Sequence, residues 1–170
     1  MEIRAATDAD VSAMNALVTA VSRERTFLLA TDGFTLEQTR GYLAHLQATG
    51  GVALVAVQDA RVVGWLDIAP GPFEGLTHCG RLGMGLAPEA RGQGLGRALL
   101  ERGLDEAFAS FERVELEVLA SNTRAERLYR RCGFVEEGRR RRARYIDGVY
   151  DDFVQYGLLR HEWRSRPINP

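Results

Sequence analysis

Alternating strand-like and helix-like segments make this chain an α/β domain, a mixed sheet with helices on its faces. Three features carry that assignment. Short apolar runs that suit strands alternate along the chain with apolar residues spaced three and four apart. The stretch Leu82–Leu100, L-G-M-G-L-A-P-E-A-R-G-Q-G-L-G-R-A-L-L, reads as strand, glycine turn and helix in direct succession. Asp147-Gly148 lies between two strand-like runs and is a two-residue hairpin signal. The chain has 170 residues, enough for one domain with a sizeable core. That domain is expected over residues 1–163, followed by a polar tail at 164–170.

Ile3 to Thr7 is a short strand candidate, and Thr7 or Asp8 can cap the next helix. Val11, Met14, Leu17, Val18 and Val21 share one face of that helix. Thr26 to Phe34 reads as a loop. Thr35-Leu36-Glu37-Gln38 has the form of a capping box, so a second helix starts there and runs to about His45 or Gln47. Gly50-Gly51 ends it.

Val52 to Val57 is a buried-strand run, Asp59-Ala60 a tight turn, and Arg61 to Ile68 the returning strand. A loop from Pro70 lasts to about Cys79, and Gly80 to Ala87 is the next strand. After the glycine turn, apolar residues recur at helical spacing at Leu95, Leu99, Leu104, Ala107, Phe108 and Phe111, and the helix is expected to end near Ser110. In Arg113–Leu119, Val114, Leu116 and Val118 point one way and Glu115 and Glu117 the other. Asn122 caps a helix that Gly133 stops, and Phe134 begins the final hairpin.

Composition excludes several functions. A net charge of −1 gives no global field toward nucleic acid or an anionic membrane. No apolar run is long enough to span a bilayer, and the first ten residues are polar and acidic, unlike a signal peptide. A cytoplasmic protein is therefore expected, with Cys79 and Cys132 as reduced thiols and no metal-ligand spacing. All 22 basic residues are arginine. Without lysine there is no phosphate loop ending in Gly-Lys-Ser/Thr and no Schiff-base chemistry. The glycine turn still presents N–H groups at a helix start, which suits a phosphate that is bound but not hydrolysed.

Two motifs carry a resemblance. Met84-x-Leu86-x-Pro88 precedes Arg91-x-x-Gly94-x-Gly96, and Ser121-Asn122-x-x-Ala125-x-x-Leu128-Tyr129-x-x-x-Gly133-Phe134 follows one strand later. In this order they resemble the GNAT superfamily of acetyl-CoA-dependent N-acetyltransferases. The ending G-F-V-E-E-G-R…Y-I-D-G-V-Y-D-D is similar to the branch acting on ribosomal proteins, polyamines and free L-amino acids. The resemblance covers nearly the whole chain. It implies a mostly antiparallel mixed sheet of six to seven strands with about four helices, splayed between the fourth and fifth strands. It also implies acetyl-CoA as cosubstrate, no metal, and a homodimer.

The resemblance places the CoA diphosphate on the backbone N–H groups of Arg91, Gly92, Gln93, Gly94, Leu95 and Gly96. It places the pantetheine arm along the strand edge at Met84 and Leu86, with Asn122 bonded to it. A backbone N–H near Leu86 would polarise the thioester carbonyl. An amine attacks that carbonyl directly, so one proton must leave the ammonium and one must reach the departing thiolate. Tyr129 is the candidate acid, with a core aromatic as the competing reading. Glu117, working through water, is the candidate base; Glu115 is second, and a solvated strand carboxylate is the alternative. Glu24, Phe27 and Tyr145 are possible acceptor contacts by resemblance.

The expected acceptor is a small primary amine, a free amino acid or related metabolite; a protein N-terminus or a polyamine is the alternative. A non-catalytic CoA sensor is the rival of another class. Arg139–Arg142 with Arg144 suits a binding site for phosphate or an acidic partner, nucleic acid included. A two-residue turn at Asp147-Gly148 would instead set Arg144 opposite Asp151 and Ala143 opposite Asp152, an arginine–acid ladder. No aromatic side chain interleaves with the arginines, which also weakens RNA binding.

Overall fold

The computed structural model describes residues 1–165. Its strands are β1 (Glu2–Ala5), β2 (Val52–Gln58), β3 (Arg61–Pro70), β4 (Cys79–Leu86), β5 (Arg113–Leu119), β6 (Val135–Ile146) and β7 (Val149–Leu159). Its helices are α1 (Val11–Arg23), α2 (Leu36–Thr49), α3 (Leu95–Ala107), α4 (Thr123–Arg131) and the short α5 (Arg160–Arg164). The strands form one sheet in the order β1-β2-β3-β4-β5-β7-β6. The expected α/β class, sheet and splay are all present. Among the described residues no helix is long and apolar enough to cross a membrane.

The pairings are antiparallel except between β4 and β5, which run parallel. That pairing covers only Cys79–Arg81 against Arg113–Glu115. Beyond Arg81 the two strands separate, and the sheet opens into a cleft. β3 stays paired to β4 as far as Leu86, so only the β5-facing edge of β4 is left open.

Each face of the sheet is covered by a different set of helices. Alternation along β2 puts Leu54 and Ala56 on one face and Val55 on the other. Leu54, Leu66 and Ile68 join the core with Leu99, Leu100 and Leu104 of α3. Those three helix leucines are fully buried, each contributing about 1.5–3 kcal/mol of burial. On the other face Val55 packs with Met14 of α1 and Leu43 of α2.

Caps fix several boundaries. At α2 the Gln38 N–H donates to Thr35 Oγ1 at 3.1 Å, and the Thr35 N–H donates to Gln38 Oε1 at 2.9 Å. This is the capping box expected from the sequence. β1 stops at Ala5, two residues short of the expected end. The Thr7 N–H and hydroxyl both donate to Asp10 Oδ2, which turns the chain into a short 3-10 segment before α1. α3 ends at Ala107 because Ala109, Ser110 and Phe111 turn back onto carbonyls of Glu106 and Ala107. α5 occupies residues assigned to the domain end and the start of the tail; the rest of the expected tail, 166–170, lies outside the described residues.

The final hairpin needs one correction. Ile146, Tyr145 and Arg144 face Val149, Tyr150 and Asp151, as the two-residue turn requires. The register then shifts between Arg140 and Arg144, so Ala143 does not face Asp152. Arg142 takes φ 52°, and its N–H donates to Asp152 Oδ1 at 2.7 Å. Arg139 pairs with Asp152 and Arg140 with Glu117. Arg144 instead sends its guanidinium to the Arg25 carbonyl at 2.6 Å, while Asp151 accepts from Ser121. The Asp152 carboxylate beside the bulge, and the carbonyl of Arg25, compete successfully for donors that a regular ladder would pair strand to strand.

Candidate active site

The open edge of β4 is chemically defined by alternation. Ala87 donates its N–H to Val63 O on β3 at 2.8 Å. In an antiparallel pair successive residues turn their polar groups to opposite sides. Leu86 and, two residues back, Met84 therefore turn theirs toward the β4–β5 cleft. Arg91 occupies the Leu86 carbonyl, through Nε at 3.0 Å and Nη2 at 2.9 Å. The cleft is thus lined by amide groups that an extended, amide-bearing ligand can meet as an added strand would.

The glycine turn stands at the end of this edge. Gly92 and Gly94 take φ 80° and 82°, conformations that cost glycine little. Gly94 is the N-cap of α3, and its carbonyl accepts from Arg97 and Ala98. The N–H groups of Leu95 and Gly96 precede any carbonyl of their own helix that they could reach. The Gln93 side chain donates to Glu89 O at 2.6 Å and braces the turn. Arg124 of α4 lies beside Gly92, its guanidinium 3.1 Å from where a Cβ would stand. Together these give N–H dipoles and a cation suited to a phosphate. Sequence reading misses Arg124, because only the packing of α4 brings it to the turn.

A cavity of about 200 Å³ runs from this turn into the cleft. Of the residues expected at the site, Met84, Leu86, Arg91, Gly96, Asn122, Glu117 and Tyr129 all line it, with Arg124 beside them. Gly92, Gln93 and Gly94 form the turn itself, and Leu95 begins α3. Asn122 Oδ1 accepts from the Ala125 N–H at 3.2 Å and so caps α4. Tyr129 is buried against Phe134 and Tyr156, with ring centroids 5.8 and 6.4 Å away. Burial pushes its hydroxyl pKa well above the ordinary tyrosine value, with the nearby Cys132 thiol acting in the same direction. The hydroxyl is therefore protonated at neutral pH and can donate.

A larger cavity of about 590 Å³ lies on the α1–α2 side of the sheet. It shares Phe27, Leu28, Leu82, Gly83, Met84 and Glu117 with the smaller one. The two meet at that junction. Glycine makes room for it: Gly85 faces Trp65 and Gly83 faces Asp67 across the β3–β4 pair. A Cβ on Gly85 would lie 2.2 Å from the Trp65 ring, and one on Gly83 would lie 3.2 Å from both Asp67 oxygens. Tyr42 donates to Asp67 Oδ2 at 2.8 Å. Desolvation pushes the Asp67 pKa up to about 6, with hydrogen bonds from Tyr42 and Trp65 acting the other way. The buried Ser22 hydroxyl, without a hydrogen-bond partner among the described residues, also lines this cavity.

The expected acceptor contacts divide. Phe27 lines both cavities, beneath the Arg91 guanidinium at 4.8 Å. Glu24 accepts a bidentate pair from Arg91 at 2.8 and 2.6 Å and lines neither cavity. It ties the end of α1 to the head of the glycine turn. Tyr145 is 63% exposed, stacks on Tyr150 at 4.5 Å and also lines neither cavity. The bulge and the turn at Asp147 put it on the outer part of the hairpin; Phe153 of β7 reaches the cavity instead. Glu117 lines both cavities, with Gln155 at 3.2 Å and Arg140 at 3.4 Å on its carboxylate. Glu115 pairs with Arg113 at 3.2 Å. No cluster of His, Cys, Asp and Glu suited to a metal occurs among the described residues.

Comparison with known proteins agrees with this geometry. Residues 17–134 match the family model described as the acetyltransferase (GNAT) family. The chain is 36% identical over 83 residues to a spermidine N(1)-acetyltransferase of Vibrio cholerae, covering 48% of each chain. It thus spans about half the length of the curated relatives it matches. Among solved structures, a GNAT-family acetyltransferase from Streptococcus pneumoniae is 30% identical, with a TM-score of 0.86 over 93% of this chain and 98% of that one. A ribosomal-protein-alanine N-acetyltransferase from Brucella melitensis is 28% identical, with a TM-score of 0.87 over 94% and 99%. The phosphinothricin acetyltransferase of Sinorhizobium meliloti, solved with acetyl-CoA, shares the fold at a TM-score of 0.89 and 18% identity, covering 99% of this chain and 93% of that one. With the splayed sheet, the glycine turn and the family match in agreement, the chain belongs to the acetyltransferase (GNAT) family, a family of acetyl-CoA-dependent enzymes.

Proposed function

We propose that this protein transfers the acetyl group of acetyl-CoA to the primary amine of a small molecule, a free amino acid or related metabolite. The observation that carries this reading is the junction of two cavities at Gly83, Met84 and Glu117. One cavity leads to the glycine turn and the other to a mainly apolar space. A thioester held at the junction would be met by an amine from the far side.

In this reading the diphosphate rests on the turn from Arg91 to Gly96 with Arg124 beside it. The pantetheine amides pair with the Leu86 N–H and the Met84 carbonyl, since Arg91 holds the Leu86 carbonyl, and with the amide of Asn122. The Met84 N–H, at the junction, polarises the thioester carbonyl, and the amine nitrogen forms its bond to that carbon. The C–S bond then breaks, and Tyr129 gives its proton to the thiolate. Glu117 takes the proton that the amine loses, directly or through water. The Arg91 side chain holds the turn through Glu24 and Leu86. The homodimer implied by the family resemblance belongs to the same reading and is checked by light scattering of the purified protein.

The test is thiol release from acetyl-CoA across a panel of amines, with Tyr129→Phe as the control. The variant should lower kcat by about 10²-fold, the lower range for a lost general acid, while acetyl-CoA affinity stays the same. Tight binding of acetyl-CoA without thiol release on any amine would favour a sensor domain. Absence of acetyl-CoA binding would overturn the assignment of the turn.

A further inference from the structure

We propose that the larger cavity takes a hydrophobic primary amine as acceptor, and that the Asp67 carboxylate, held by Tyr42, receives its ammonium group. This rests on the acetyl-transfer reading above and adds to it the chemical class of the acceptor and a residue that contacts it.

Three observations place Asp67 for this task. It stands on β3 directly opposite Gly83, and Gly83 belongs to both cavities. Its two oxygens would lie 3.2 Å from a Cβ at that glycine, so the bare backbone leaves space beside the carboxylate. The Tyr42 hydroxyl, reaching across from α2, fixes its orientation at 2.8 Å. An ammonium bound to Asp67 therefore sits next to the shared wall through which the thioester is approached.

The rest of the wall selects the body of the amine. Met14, Val18, Leu43, Leu46, Trp65 and Phe153 are among its lining residues. A space of about 590 Å³ with this lining suits an aromatic or large aliphatic group. Polyamines fit poorly, because their further cations would lie against apolar walls without partners. Glu117, the other carboxylate of this lining, already faces Arg140 and Gln155. Arg81 also lines the cavity and can meet an α-carboxylate, so an apolar amino acid and its decarboxylated amine share the recognised chemistry.

Recognition should depend on pH. The groups facing or sharing the cavity with Asp67 are Tyr42 from α2, Trp65 on its own strand, Arg81 from β4 and Glu117 from β5. Desolvation holds the Asp67 carboxyl near 6 in place of an ordinary aspartate value. Below that pH it is neutral and no longer attracts an ammonium, so the acceptor KM rises as pH falls through about 6.

The experiment compares phenethylamine, phenylalanine, glycine and spermidine in the thiol-release assay from pH 5 to 8, with thermal melts and acetyl-CoA titration of each variant. Phenethylamine or phenylalanine should exceed both spermidine and glycine in kcat/KM by about 10-fold or more, since an apolar side chain in a fitted pocket contributes at least that much. Asp67→Asn should raise the KM of the preferred amine about 10- to 100-fold, leave kcat within a few-fold and abolish the rise in KM below pH 6. Tyr42→Phe should move that rise to higher pH, because it removes a bond that favours the ionised carboxyl; this decides the matter should Asp67→Asn fail to fold. Preference for spermidine or glycine, or an unchanged KM and pH profile in Asp67→Asn, would overturn the inference while leaving acetyl transfer intact. Failure of acetyl-CoA to bind would overturn both.

Discussion

Replacing Glu24 by Gln separates two roles for one carboxylate. The wild-type pair is bidentate, with side chains 28% and 18% exposed for Glu24 and Arg91. Exposed pairs contribute about 0.2–1 kcal/mol, whereas breaking a buried one costs about 3–5 kcal/mol. This pair lies between those limits, and Arg91 keeps its bonds to Leu86 O in the variant. A loss of about 2 kcal/mol follows. For a domain of this size that is a fall in Tm of about 4–8 °C. The Arg91 hydrogen bond, ahead of any opposing desolvation, holds the Glu24 carboxyl below its ordinary pKa. A lowered acid pKa contributes stability that is present above the unfolded value, about 4.3, and lost as pH falls through the folded one. The gap in Tm between wild type and Glu24→Gln should therefore be full at neutral pH and close in acid. Acetyl-CoA affinity should weaken as the turn loosens, while the acceptor KM changes little. Melts followed by circular dichroism at two pH values, with a cofactor titration and steady-state kinetics, measure all three. An unchanged Tm together with a rise in acceptor KM alone would refute this account and make Glu24 an acceptor contact, as the family resemblance suggests.

Other expectations follow from single contacts. Gly85→Ala puts a Cβ 2.2 Å from the Trp65 ring, so the ring must leave its place on the cavity wall. Overpacking of this kind should cost about 1–3 kcal/mol, and indole fluorescence should shift along with the denaturation midpoint. Gly94→Ala meets nothing within 4 Å but stands at φ 82°. It should cost about 1 kcal/mol of strain and weaken acetyl-CoA binding more than acceptor binding, which calorimetric titration resolves.

Signals between residues a few positions apart specify the elements and much of the order of the site. Helical spacing puts Leu99 and Leu104 on one face, Thr35 and Gln38 supply their own cap, and Asp147-Gly148 sets its own turn. The two motifs also place Met84, Leu86, Gly94, Asn122 and Tyr129 in an arrangement that the fold then gathers around one cleft. Packing alone brings together partners distant in the chain. Arg91 meets Glu24 across 67 positions, and Tyr42 meets Asp67 across 25. No period or spacing records either pair, because each depends on how helices lie against a sheet. The same holds for Tyr145: the bulge between Arg140 and Arg144 and the carbonyl of Arg25 decide where the hairpin points. In the sequence Asp67 is one polar residue in a strand. It becomes a candidate binding group only because the sheet sets Gly83 opposite it and leaves its carboxylate beside an apolar cavity.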